Sequence, residues 1–249
     1  MSDELVMETC LLAGEIMLKN GGETYRAEDT MALLAKAAGM KNVNSFVTPT
    51  CIILSYCYLD KDYTRMIRTR ICTIDLNKVT LVNEVSRNYV SGKITLSQAY
   101  LQLQEIDQKK PIYPTWLQNV AASVSSGAFA ALFGAGWMEI IIAGFAGMIV
   151  NASVGYFEPY LRIKFFNEFF AAILGGLLVL LCFKVNTRLQ LDLMIIGTMI
   201  PLFPGIAVTN SLRDLMAGDL MAGVSRGVEA LLTALSVAIA TVTLLFLAR

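Results

Sequence analysis

At 249 residues, 55% of them hydrophobic, this chain is too apolar for an ordinary soluble domain, and its 20 acidic and 20 basic side chains cancel to zero net charge. It contains no histidine, which removes the commonest general base and metal ligand and excludes Ser-His-Asp and Cys-His catalysis. No cluster of Lys and Arg offers a footprint for nucleic acid, so none is expected as a partner.

The charge is unevenly spread. Residues 1–110 carry 13 acids and 13 bases, and residues 111–249 carry seven of each. The chain therefore divides near Lys109-Lys110-Pro111 into a cytoplasmic α+β domain (1–110) and a transmembrane bundle (111–249). The opening MSDELVMETC has neither a basic start nor a long apolar run, so no signal peptide is expected there. Cys10, Cys51, Cys57, Cys72 and Cys182 show no zinc or CxxC spacing and read as small buried hydrophobes in a reducing compartment.

In the first half, apolar spacing predicts a helix over 3–20, stopped by Asn20-Gly21-Gly22, and a second over 23–39. VNSFVT and CIILSYCYL read as strands joined at Pro49, and Lys61-Asp62 as a turn into a third strand, YTRMIRTRI. Two helices follow over 75–90 and 95–107, the latter opened by the capping box Thr95-Leu96-Ser97-Gln98. Within GGETYRAEDTM (21–31), Glu23, Arg26 and Glu28 crowd the start of a helix. They are either a solvated helix start with a local ion pair or a contact with the membrane half or a ligand.

In the second half, hydropathy marks five spans, roughly 116–134, 137–157, 165–183, 190–209 and 223–247. Trp116 and Trp137 fall at span ends, where indole favours the interface. Small residues recur every fourth position (Asn119, Ser123, Gly127 and Ala131, then Ala143, Gly147, Asn151 and Gly155), a pattern for close helix packing. Asn151 is either glue between helices or a polar contact for a transported solute. In the third span Glu168, Ala172 and Gly176 continue the small-residue theme. Lys109, Lys110, Arg162, Lys164, Arg213 and Arg226 fall on one side of the membrane if the N-terminus is inside, with only Lys184 and Arg188 opposite.

The stretch 201–229, PLFPGIAVTNSLRDLMAGDLMAGVSRGVE, holds two prolines, four glycines and five charges between apolar segments. Pro201, Pro204 and Gly205 predict a broken fourth span, and Arg213, Asp214, Asp219, Arg226 and Glu229 a polar path. The plainer alternative is that Arg213–Asp214 and Asp219–Arg226 are structural ion pairs in a turn.

This stretch, preceded by GGETYRAEDTM in a charged N-terminal domain, resembles the threonine/serine exporter (ThrE) family over essentially the whole chain. The family motifs fall on Gly22, Glu23, Arg26 and Glu28, and on Pro204, Gly205, Asn210, Arg213, Asp214, Gly218, Asp219 and Arg226. The resemblance implies a cytoplasmic domain before a five-helix bundle, and export of a small polar solute driven by an ion or proton gradient. Full-length members carry a second bundle. This chain looks like the split form, which implies a separate small integral-membrane subunit and a bacterial inner-membrane location. The split form is associated with succinate, and fused members with threonine and serine.

On this reading the substrate carboxylate meets the broken span and Arg213, while Asp214, Asp219 or Glu229 carries any coupled proton. No catalytic residue, cofactor or metal is expected. Two other classes stand beside it. One is a membrane-embedded hydrolase using a water-activating pair or a metal at Asp214 and Asp219; the other is a regulatory or scaffold subunit of a transporter.

Overall fold

The computed structural model describes residues 3–69, 74–109, 113–161 and 163–248. Cys72, Lys110, Pro111 and Arg162, and with them the expected domain junction, lie outside these residues. The chain forms two compact units that do not follow sequence order: residues 1–111 with 206–227, and residues 112–205 with 228–249.

The first unit opens with α1 (Asp3–Lys19) and α2 (Thr24–Ala37), then β1 (Lys41–Thr48), β2 (Cys51–Tyr58) and β3 (Lys61–Arg68), then α3 (Leu76–Val90) and α4 (Leu96–Gln108). The strands form an antiparallel sheet in the order β1-β2-β3. Alternation along β2 buries Ile52, Leu54 and Tyr56 against the helices, in a core with Ile16, Met17, Met31, Leu34 and Leu103. The capping box forms as expected, with the Thr95 hydroxyl accepting from Gln98 N–H and Gln98 Oε1 accepting from Thr95 N–H. Asp75 caps α3 with its side chain alone, accepting from the Asn77 and Lys78 amides.

Two strand boundaries differ from the sequence reading. The β2–β3 turn falls at Leu59-Asp60, both with positive φ, so Lys61 and Asp62 are paired strand residues. Two consecutive left-handed residues make the tight turn whose twist matches a hairpin, here without the usual glycine. β1 starts at Lys41, two residues before VNSFVT, through a bulge at Asn42 (φ 49).

In the second unit α5 (Thr115–Leu132), α6 (Trp137–Phe157) and α7 (Lys164–Val185) precede α8 (Leu191–Met199), a single 3-10 turn (Ile200–Leu202) and later the body of α10 (Leu220–Ala248). α5 and α6 pack through their small residues, Gly144 on Ser123 and Gly147 on Ser126. Among the described residues three helices, α6, α7 and α10, are long and apolar enough to cross a membrane. α8 joins them if, with the 3-10 turn and α9 (Gly205–Ala217), it counts as one interrupted span. α5 has the length, but Gln118, Asn119, Ser123, Ser125 and Ser126 leave it less apolar, and it is not in this set.

The interruption sits at Phe203-Pro204. Pro204 disfavours helical geometry in the residue before it, and Phe203 is extended at φ −66, ψ 123. Pro201 is accommodated in the first turn of the 3-10 segment, where no amide donor is needed. Helix resumes at Gly205 and runs to Ala217, eight residues past the expected end at 209.

Candidate functional site

The two motifs picked out in the sequence meet inside the first unit. Gly21 turns the chain out of α1 with φ +86, and Gly22 passes so near α1 that a Cβ on it would stand 2.8 Å from the Met17 carbonyl oxygen. Only glycine fits both demands in succession. The turn presents two main-chain carbonyls to the hairpin formed by α9 and the start of α10. Asn210 Nδ2 donates to Gly21 O at 3.0 Å, and an Arg226 guanidinium N–H donates to Gly22 O at 2.9 Å.

The side chains that follow complete the clasp. Arg213 donates to one oxygen of Glu23, and Arg26 to the other at 3.1 Å. Burial pushes the Glu23 carboxyl up, but the hydrogen bonds from Arg213 and Arg26 outweigh it and hold the group below the usual carboxylate range. Asp214, fully buried, accepts from the Thr24 hydroxyl at 2.6 Å, and its second oxygen lies 3.3 Å from Arg226 Nε. Ser211 donates to Gly223 O at 2.7 Å and ties α9 to α10. Asp219, in the turn after Gly218, donates its amide to Asp214 O.

The ion pairs are not those expected. Arg213 and Asp214 are neighbours on a helix and diverge by about 100° around it, so neither can serve the other. Arg213 pairs instead with Glu23, and Arg226 with Asp214 rather than Asp219. Glu28 lies next to this cluster with a different job: its carboxylate accepts from the Val47 amide of β1 at 2.7 Å. Burial pushes Glu28 up to about 7, the Val47 hydrogen bond opposing and the charges of Asp219, Asp29 and Asp214 adding.

The remaining candidates lie apart, in the second unit. Asn151 donates to Asn119 Oδ1 at 2.8 Å, between α6 and α5. Pro204 lines an apolar cavity of about 640 Å³ with Phe129, Phe203 and Val237, and Gly205 begins α9. Glu229 accepts from Lys164 at 2.8 Å. Among the described residues no group of three or more Cys, Asp or Glu is placed to hold a metal.

Thr24 and Ser211 belong to the clasp and were not singled out by sequence. Thr24 carried a signal: a hydroxyl at a helix start ordinarily caps it. Here Glu23 occupies the N-cap without a side-chain cap, and Thr24 turns its hydroxyl to Asp214 instead.

The family model of the threonine/serine exporters matches residues 8–248. The chain belongs to the threonine/serine exporter family. Among relatives of this exporter family, the chain is similar to "Probable succinate transporter subunit YjjP" of Escherichia coli, at 23% identity over 95% of this chain and 92% of that protein. It is 21% identical to "Probable threonine/serine exporter" of Mycobacterium tuberculosis over 91% of this chain and 43% of the relative. An uncharacterized protein of Schizosaccharomyces pombe is 22% identical over 89% of this chain and 28% of its own length. The chain thus spans less than half of these two longer relatives and nearly all of the bacterial subunit. No solved structure matches it at a significant level.

Proposed function

We propose that this exporter-family chain is one subunit of a secondary exporter of small carboxylate-bearing solutes in a bacterial inner membrane. It works with a second, small integral-membrane subunit. The bundle crosses five times, with α5 as the first span and the interrupted stretch over about 190–209 as the fourth, and residues 1–110 are cytoplasmic. Succinate is favoured over threonine or serine because the relative matched nearly end to end is named a succinate transporter subunit.

One observation carries this reading: Arg213, just beyond the broken span, is held by a carboxylate of the chain itself. The Arg213 side chain is 61% exposed, whereas that of Glu23 is 7% exposed. A guanidinium reachable from water and already bound to a carboxylate is arranged for exchange, with a substrate carboxylate taking the place of Glu23. Glu23 keeps Arg26 as a partner when Arg213 leaves, which lowers the cost of exchange. Asn210, Asp214 and Arg226 hold the hairpin still while Arg213 changes partner. The hydrolase alternative loses ground here, since Asp214 has Thr24 on one oxygen and Arg226 beside the other.

The test is counterflow of labelled succinate, threonine and serine in vesicles holding this chain alone and then with a candidate small subunit. Movement of a carboxylate solute only with both chains supports the proposal. Transport by the partner alone would reduce this chain to a scaffold.

A further inference from the structure

Along α10, Glu229, Thr233, Ser236 and Ala240 fall at i, i+4, i+7 and i+11 and share one face of the helix. Ala240 joins Ala171 and Ala172 of α7 in a buried cluster, and Glu229 pairs with Lys164 in the first turn of α7. Thr233 and Ser236 therefore meet α7 between those two contacts. Glu168 of α7, only 7% exposed, occupies the same interval with Thr233 beside its carboxyl.

Oxygen atoms in this seam lack partners. Glu168 Oε2, Thr233 Oγ1 and Ser236 Oγ are shielded from solvent and none completes a hydrogen bond of good geometry among the described residues, the Thr233 hydroxyl being the one that stands close enough to the Glu168 carboxyl to interact with it. Other buried polar groups of the unit find partners, Asn151 in Asn119, Asn167 Nδ2 in Val154 O at 3.0 Å and Thr198 in Met194 O at 2.7 Å, whereas Ser126 Oγ, under Gly147, is a lone exception away from this seam among the described residues. Each unmade bond costs about 1–3 kcal/mol, so several within two turns call for something that joins them. Lys164 does not do so. It lies 2.8 Å from Glu229 but 4.0 Å from Glu168, and it faces Oε1 rather than Oε2.

We propose that Glu168, Thr233 and Ser236 form a binding site for one alkali-metal cation of the sodium class between α7 and α10. The donor set is all oxygen, which selects hard cations over zinc or copper. It brings one carboxylate and two neutral hydroxyls, matching a single positive charge, whereas calcium sites gather several carboxylates. The cation supplies Oε2 with the charge that Lys164 spends on Glu229. The site does not depend on which solute is exported.

The experiment is thermal unfolding of the full chain in lipid nanodiscs, in sodium, lithium, potassium and choline chloride at equal ionic strength and pH. Sodium should raise the midpoint saturably by a few degrees over choline, because a ligand bound only to the folded state stabilises it by mass action. Ser236→Ala keeps the charge and removes one ligand, and should weaken the apparent sodium affinity by about tenfold. Glu168→Gln should abolish the sodium effect. Equal midpoints in all four salts overturn the proposal, as does a sodium shift that survives both substitutions. A midpoint that follows pH but ignores the identity of the cation assigns a proton to Glu168 and overturns it equally.

Discussion

Arg213 of α9 donates to the carboxylate of Glu23 at the head of α2, across 190 positions of sequence. Arg213→Ala is expected to lower export by about tenfold or more, the equivalent of one charge-assisted hydrogen bond. Stability should change little, by about 1 kcal/mol or less, because the arginine is largely exposed. Export kinetics and a thermal midpoint on the same preparation separate the two effects. Unchanged export would remove Arg213 from the pathway.

Asp214→Asn acts differently. The carboxylate is fully buried and faces Arg226, itself 4% exposed, so removing its charge should cost about 3–5 kcal/mol. The loss is expected locally, as faster hydrogen exchange across residues 206–227. Asp219→Asn, in the more accessible turn, should leave exchange near wild type. Equal effects of the two substitutions would mean that Asp214 does not anchor the hairpin.

Gly22→Ala puts a methyl 2.8 Å from the Met17 carbonyl and must displace either α1 or the turn. A cost of about 1–3 kcal/mol follows from overpacking, together with weaker protection of the Arg226 contact. A thermal midpoint equal to wild type would show that the turn has room the geometry denies.

Glu28 supplies a pH dependence of defined sign. Its folded-state value, about 7, lies above the ordinary 4.5, so the folded chain binds this proton more tightly than the unfolded one. The contribution is fully present below about 4.5 and is lost as pH rises through about 7. Glu28→Gln keeps an acceptor for the Val47 amide and removes the titration. It should flatten that part of the stability profile and stabilise the chain above pH 7. Parallel profiles for the two proteins between pH 5 and 8 would refute this.

Local chemistry was legible and long-range pairing was not. Thr95 with Gln98 marked the start of α4, and Pro204 marked the break, because each acts on its immediate neighbours. The Leu59-Asp60 turn was misplaced by two residues, since neither side chain advertises the positive φ it adopts. Both halves of the clasp could be picked out as charged, glycine-rich stretches. Their pairing could not, because Glu23 and Arg213 are joined by tertiary packing, to which no spacing rule applies. The apolar pattern also ran past the point where packing changes. Residues 206–227 continue from a span in sequence yet pack with residues 1–111.

The most direct test of the account is counterflow of labelled succinate, threonine and serine in vesicles holding both subunits, with wild type compared to Arg213→Ala. Wild type is expected to move at least one carboxylate solute, and Arg213→Ala to lose that movement while still unfolding at the wild-type temperature. Counterflow that proceeds at the wild-type rate without Arg213, or that moves none of the three solutes with both chains folded, would contradict it.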